Sequence, residues 1–415
     1  VKVFKFGGAS VKDAEGVKNV IRVLKHEGFN NTLIVISAMG KMTNAFEKVI
    51  DSYVYKNDNL NNAIEFIRDY HISIINELFS SEKNAILLEV EKLLGELSGF
   101  FITNKNSDYN FIYDQVIGFG ELLATKIVGA YLNENHITTK WIDVRDFIKT
   151  DTNYRDARVN WEATKANIAK LDTTNLYLTQ GFLGGACNGK TTSLGREGSD
   201  FTAAIFAYCL NAKSLTIWKD VDGVLNADPR YLENTVLLEQ ISYKEAIEMA
   251  FYGASVIHPK TLKPLENKNI PLYVRSFYNL NLLGTTVSKG HNLAPEIPCF
   301  IVKQEQILVS ISAIDFSFMV EHNLSDIFKI LHDYKLKVNL IQNSALSFSV
   351  CIEDNFGNFQ SFISEITMNY KINFIENVAL YTVRHATKNA IELIEQKGKV
   401  LLKQATKGTV QVIMQ

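Results

Sequence analysis

The sequence predicts an α/β protein with an open, mostly parallel sheet sandwiched by helices, followed by ferredoxin-like βαββαβ units. Three observations carry this expectation. Strand and helix patterns alternate up to Ser288, and the second strand, Thr32–Ile36, is an unbroken apolar run of the kind covered on both faces. Strand after strand ends in a glycine-bearing or acidic loop, which places those loops at the carboxyl edge of one sheet, where open α/β sheets bind ligands. Beyond residue 298 the order becomes β-α-β-β-α-β, and a shorter run repeats the theme.

Composition narrows the class. The 415 residues suffice for two or three domains with a large core, and 47% hydrophobic with 21% charged residues is a globular balance. The net charge of −2 comes with no basic block, so nothing points to nucleic acid as a partner. No apolar run reaches transmembrane length, so no membrane partner is expected. The cysteines, Cys187, Cys209, Cys299 and Cys351, are too scattered for a metal-ligand spacing and read as reduced thiols of a cytoplasmic protein.

Residues 1–6 alternate Val, Phe and Phe with lysines and break at Gly7-Gly8. Those glycines allow close approach to backbone N–H groups. Lys5 is either an edge-strand lysine reaching solvent or a charge aimed at a phosphate. Val17, Val20, Ile21 and Leu24 mark a helix before the second strand. Residues 45–117 read as helices with polar breaks around 57–62 and 103–108, and Ile64, Ile67, Ile72, Ile75 and Leu78 as core. Val116-Ile-Gly-Phe-Gly-Glu121 opens another helix, with Glu121 in the first turn, where a carboxylate complements the helix dipole. Residues 140–144, 175–180 and 214–218 are expected strands. His258, before Pro259, reads as a structural turn residue. A linker is expected near 288–298, dividing the chain into domains 1–295 and 299–415. The later domain is read as strand 306–314, helix 324–334, strands 337–342 and 346–352, a second helix and strand 372–375. Strand 378–383, helix 389–396 and strands 400–402 and 410–414 form the repeat.

The organising stretch is Ser193-Leu-Gly-Arg-Glu-Gly-Ser-Asp-Phe-Thr-Ala-Ala204. A glycine turn feeds a helix expected to start near Ser199 or Asp200. Its unpaired N–H groups suit an anion, and Arg196 just before it offers a planar fork for a carboxylate or phosphate. An ordinary capped helix after a polar turn is the alternative.

Four separated motifs together resemble the aspartokinases of the amino-acid kinase family. Lys5-Phe-Gly-Gly-Ala-Ser-Val11 resembles the family's opening, and Leu194-Gly-Arg-Glu-Gly-Ser-Asp-Phe-Thr-Ala203 its Gly-Arg-Gly-Gly-Ser-Asp stretch. Residues 217–230 resemble its nucleotide segment, and Gly253-Ala-Ser-Val-Ile-His-Pro259 a later motif. The C-terminal units resemble its tandem ACT domains. The resemblance implies phosphoryl transfer from ATP, with Mg2+, to the β-carboxylate of L-aspartate, the first step toward lysine, threonine and methionine. It implies Lys5 as the phosphate-neutralising lysine, Gly7 and Gly8 as donors to the same oxygens, and Asp200 as organiser of lysine and phosphoryl group. It implies Arg196 on the substrate α-carboxylate, Glu121 facing its ammonium, and Thr43, Phe182 and Ser199 elsewhere in that pocket. Asp220, Leu225 and Arg230 fall at nucleotide-side positions, as does Lys219. No protein metal site is implied. A monofunctional enzyme is expected, since the chain ends at Gln415 without room for the dehydrogenase domain of bifunctional relatives.

The chain departs from the pattern in places. Ala9 replaces a threonine, Glu197 a glycine, Leu225 a frequent tyrosine and Ser255 a frequent lysine, while Lys219 stands where threonine is usual. Lys219 either supplies the charge missing at Ser255 or is a solvated loop lysine. An acetylglutamate or glutamate kinase and a catalytically silent amino-acid sensor are the competing functions. A homodimer through the ACT units is expected, with an amino-acid effector in question. The loop 317–323 lacks glycine, and Asn339 stands in place of a carboxylate, so lysine inhibition is expected to be weak or absent and threonine the more suitable ligand.

Overall fold

The computed structural model describes residues 1–80, 84–254, 257–290, 292–315 and 317–415. Ser255 therefore lies outside the described residues, and with it the expected exchange of charge between Ser255 and Lys219. The chain divides into two units. The first comprises Val1–Val224, Leu237–Ile247 and Val256–Pro295; the second comprises Leu225–Val236, Glu248–Ser255 and Glu296–Gln415. One division falls at Pro295, and two earlier segments, Leu225 and Arg230 among them, belong to the second unit.

The first unit is built on an eight-stranded sheet. Its strands lie in the order Lys140–Trp141, Tyr177–Gln180, Thr32–Ile36, Lys2–Phe6, Ser214–Lys219, Leu272–Ser276, Thr285–Ser288 and Gln240–Ser242. Every pair is parallel except Leu272–Ser276 with Thr285–Ser288. The strand Lys2–Phe6 is central, with Lys5 opposite Val35 on one side and Ile217 on the other. Lys5 is thus not an edge lysine. It is only 8% exposed.

Period-two alternation decides what each face of this strand does. Phe4 and Phe6 point to one side and meet Trp218, edge-on at 5.9 Å and stacked at 6.3 Å respectively. Phe277 closes on Phe6 at 5.8 Å. Lys5 points to the other side. Helices Ala14–Glu27, Met42–Val54, Leu60–Leu78, Asn84–Thr103, Tyr109–Ile117 and Phe119–Glu134 supply the remainder of this core. Ile67, Ile75 and Leu78 are buried in it, as their spacing predicts. The strand expected over 140–144 stops at Trp141, because Asp143 caps a short helix, Val144–Phe147, by accepting from Arg145 N–H. A small second sheet joins Lys149–Thr150, Leu183–Ala186 and Thr191–Ser193.

The second unit holds a six-stranded antiparallel sheet. Its first half follows the expected β-α-β-β-α-β order and the second the expected shorter β-α-β-β run, and the two share strands. Two 15-residue strands, Cys299–Ala313 and Tyr370–Arg384, run through both halves. Their register shifts near Lys303 and Gln306, where Glu305 and Asn377 take left-handed backbone (φ 55° and 57°). The positive φ at Asn377 divides what reads as two strands, 372–375 and 378–383, without ending the ladder. One half packs helices Glu321–Asp333 and Phe359–Ile366 on the sheet through Ile327, Leu331, Phe359 and Phe362. The other uses one helix, Lys388–Glu395, with Ala390 and Ile394 facing Val383, Val410 and Val412.

Truncation at Phe6 should test how far the first unit depends on the aromatic face of its central strand. Phe6→Ala should lower the stability of the fold by roughly 3–5 kcal/mol, read as an earlier transition in guanidinium by tryptophan fluorescence. An unchanged midpoint would mean that the Phe6–Trp218–Phe277 cluster contributes little.

Candidate active site

At the carboxyl edge of the parallel strands lies a cavity of about 480 Å³. It is lined by Lys5, Thr43, Glu121, Phe182, Arg196, Ser199, Asp200 and Lys219, so the sequence-derived substrate and catalytic residues converge on one space. The nucleotide-side group is divided. Lys219 lines the cavity, whereas Gly7, Gly8, Asp220, Leu225 and Arg230 are not among its lining residues. The Arg230 guanidinium is exposed and turned onto Asp228, Nη2 to Oδ2 at 2.5 Å.

Lys5 is held by Asp200, with Nζ 2.6 Å from Oδ1 and both side chains nearly sealed from solvent. Asp200 lies in the first turn of the helix Gly198–Cys209, which starts one residue earlier than its sequence suggests, with Glu197 rather than Ser199 at the N-cap. A carboxylate in a first turn is favoured by the helix dipole, and here it also compensates a buried ammonium. Gly7 leaves the space beside this ammonium open: a Cβ there would have Lys5 Nζ as its nearest neighbour, at 3.5 Å. Gly8 has a different role. A Cβ on it would stand 2.7 Å from the Ala38 carbonyl oxygen, so glycine is what lets residues 7–8 press on residues 38–40.

Glu121 is buried in the first turn of Phe119–Glu134. Gly120 permits this helix to approach Ala38, and Glu121 Oε1 accepts the Ala38 N–H at 3.2 Å. Its Oε2 is buried without a hydrogen-bond partner among the described residues. Burial pushes the carboxyl up to about 8, against the opposing pulls of the Ala38 N–H and the Lys5 charge. A buried, half-satisfied carboxyl facing a cavity leaves one oxygen open to whatever occupies that cavity, beyond the dipole-complementing role its position alone suggests.

Three lining residues have left-handed backbone without being glycine: Arg155 (φ 71°), Phe182 (φ 72°) and Glu197 (φ 52°). Such conformations gather at sites whose surroundings hold them in place. The Phe182 N–H donates to Thr202 Oγ1 at 2.9 Å, and Gly198 leaves room for its ring, since a Cβ there would lie 2.6 Å from Phe182 Cδ2. Glu197 Oε2 accepts the His258 N–H at 3.0 Å, tying the loop before the Gly198–Cys209 helix to the start of Pro259–Lys268. The carboxylate that departs from the aspartokinase pattern thus has a structural tether. His258 caps the latter helix, its Nδ1 accepting the Lys260 N–H, in keeping with the turn role read from sequence.

Gly195 of the organising stretch lines the cavity too, as do Ser37, Tyr113 and Arg155, which are not evident in the sequence. Tyr113 sits in a helix whose apolar pattern reads as plain core. Arg155 sits in a polar segment with no motif, so no sequence signal marks it.

The amino acid kinase family model matches residues 1–276. A relative in Arabidopsis thaliana, the chloroplastic bifunctional aspartokinase/homoserine dehydrogenase 2, is 29% identical over 364 residues, covering 84% of this chain and 39% of its own length. This chain spans about two fifths of that relative. The lysine-sensitive aspartokinase 3 of Escherichia coli is 28% identical over 392 residues, 92% of this chain and 86% of the relative. The crystal structure of E. coli aspartokinase III with aspartate and ADP superposes with a TM-score of 0.83 at 26% identity, covering 100% of this chain and 96% of that one. The family match takes in seven of the eight strands of this sheet, all but Thr285–Ser288, and every residue of the cavity, and the chain belongs to the amino acid kinase family.

Proposed function

We propose that this protein transfers the γ-phosphoryl group of ATP to the β-carboxylate of L-aspartate, giving 4-phospho-L-aspartate, and so opens the route to aspartate-derived amino acids. Family membership implies a nucleotide substrate. The observation that carries the choice of an amino acid as acceptor is the buried, unpartnered Oε2 of Glu121 in a cavity that also holds the Lys5–Asp200 pair. The relatives named aspartokinase support aspartate over acetylglutamate or glutamate.

In this reading the substrate ammonium sits against Glu121, and Arg196 takes the α-carboxylate in its planar fork. The β-carboxylate is already an anion at neutral pH, so no general base is required. Its oxygen attacks the γ-phosphorus, the P–O bond to ADP breaks, and charge spreads over the phosphoryl oxygens. Lys5 meets that charge from a fixed position, because Asp200 holds its ammonium. No group of three His, Cys, Asp or Glu that could hold a metal occurs among the described residues. A magnesium ion carried on the phosphates would offset triphosphate charge, and the Asp200 carboxylate lines the same cavity.

The assay is direct: Mg-ATP with aspartate, trapping acyl phosphate with hydroxylamine. Product with aspartate and little with glutamate or acetylglutamate supports the reading; a folded, aspartate-binding protein that makes no product supports a sensor instead. Lys5→Met should lower kcat by a factor corresponding to about 3–4 kcal/mol, while Arg196→Lys should mainly raise the aspartate KM. Near-normal turnover in Lys5→Met would remove the lysine from the reaction.

The Glu121 carboxyl yields a pH dependence with a definite sign. Its free-protein value of about 8 leaves it mostly neutral at lower pH, so binding an ammonium must expel a proton. Aspartate kcat/KM should therefore rise with pH toward 8 and level off above it. Glu121→Gln should abolish that limb of the profile; a limb that persists in the variant would place the titration elsewhere. The raised value also opposes folding as the unfolded carboxylate ionises, so this group's contribution to stability is full below about pH 4.5 and declines toward pH 8.

For the second unit we propose a homodimer through the ACT-like sheet and weak or absent lysine inhibition. Asn339 sits at a register shift, its Oδ1 accepting from Lys303 Nζ at 2.7 Å and its Nδ2 donating to Gln306 Oε1 at 2.7 Å. The amide is occupied within its own sheet. Calorimetric titration with lysine and threonine is the check: lysine binding at low micromolar concentration would overturn this expectation.

A further inference from the structure

We propose that Arg155 is a second carboxylate-binding residue of the cavity, sharing the substrate's α-carboxylate with Arg196; this rests on the amino-acid acceptor proposed above. Arg155 lines the same cavity as Arg196. Neither guanidinium forms a salt bridge with a carboxylate among the described residues, whereas the Lys5 ammonium is committed to Asp200. A dicarboxylate acceptor brings one carboxylate to the phosphoryl group and leaves the other to be neutralised by cations that are still available.

The position of Arg155 is built. Its guanidinium carbon stands 4.3 Å from the centroid of the Tyr113 ring, and that ring is buried and fixed by its hydroxyl donating to Glu47 Oε1 at 3.2 Å. Stacking of this kind sets the plane of the fork. The left-handed backbone at Arg155 is held by its N–H donating to Asp114 Oδ2 at 2.9 Å. Asp114 is fully buried and also accepts from the Ser193 N–H at 2.9 Å and the Ser193 hydroxyl at 2.6 Å. Ser193 is the root of the loop that carries Arg196. One buried carboxylate therefore fixes both guanidinium-bearing segments. Gly195 completes the approach: a Cβ there would lie 3.2 Å from the Arg155 carbonyl oxygen and 2.7 Å from Asp156 Oδ1. Nothing about an ordinary surface loop requires an arginine with positive φ stacked over a cavity.

The test compares wild type, Arg155→Gly and Arg155→Lys in the full-length protein. Glycine suits a φ of 71°, so Arg155→Gly should keep its thermal midpoint close to wild type. Calorimetric Kd and steady-state KM are measured with L-aspartate and with its α-amide, which retains the ammonium and the β-carboxylate. With aspartate, Arg155→Gly should weaken binding about ten-fold and leave kcat and the ATP KM within about two-fold; Arg155→Lys should fall between. With the α-amide, wild type and Arg155→Gly should bind alike. Unchanged aspartate affinity, an equal loss with the α-amide, or a change confined to ATP would each overturn the proposal. Wild-type protein that binds aspartate without making acyl phosphate fails the kinase reading while still testing Arg155 by Kd; wild-type protein that does not bind aspartate overturns both.

Discussion

The ion pair between Lys5 and Asp200, 2.6 Å across and almost closed to solvent, is the constraint around which the first unit is arranged. A lysine at the centre of a parallel sheet is tolerated only if its charge is compensated, since desolvating an unpaired ammonium costs several kcal/mol. The sheet supplies Lys5 by alternation: aromatic side chains on one face of Lys2–Phe6 drive the burial that leaves the lysine on the other. The helix Gly198–Cys209 supplies the carboxylate from a first turn that favours negative charge. Remove either partner and a buried charge stands alone, so the pair couples the packing of the sheet to the chemistry at its edge.

Around this pair the chain stores conformational strain in a systematic way. Arg155, Phe182 and Glu197 each adopt backbone that side chains ordinarily avoid, and each is held by a contact from a different segment: Asp114, Thr202 and His258 respectively. Glycines at 181 and 198 admit the close approaches, a Cβ at Gly181 falling 2.5 Å from that of Ser199. The cavity walls are consequently fixed by contacts between segments, which is what preorganised electrostatic catalysis needs.

Much of this was legible in the sequence, and the reasons differ by residue. The parallel sheet was readable because Thr32–Ile36 has no polar face to spare. Lys5, Arg196 and Asp200 were readable because glycines and charges cluster beside them. What escaped is what depends on distant partners. Arg155 lies in a polar stretch whose backbone is set by Asp114, 41 residues earlier. The centrality of Lys2–Phe6, which decides the fate of Lys5, follows from pairing with Ser214–Lys219 across most of the unit. Glu197 reads in the sequence only as a residue in place of a glycine, and its bond to the His258 backbone is invisible without the fold. Likewise 372–375 and 378–383 read as two strands because Glu376-Asn377 interrupts the apolar pattern, although one strand runs through both.

The long strands Cys299–Ala313 and Tyr370–Arg384 carry a consequence of their own. Each half of the antiparallel sheet borrows its middle from the same two segments, so the backbone ladder of one half continues into the other. Local opening of this sheet is expected first at its outer strands, Lys337–Asn343 and Val400–Thr406, each paired on one side alone. A change of twist imposed at one end of a shared strand therefore meets the register shift near Lys303 and Gln306 before it reaches the other end.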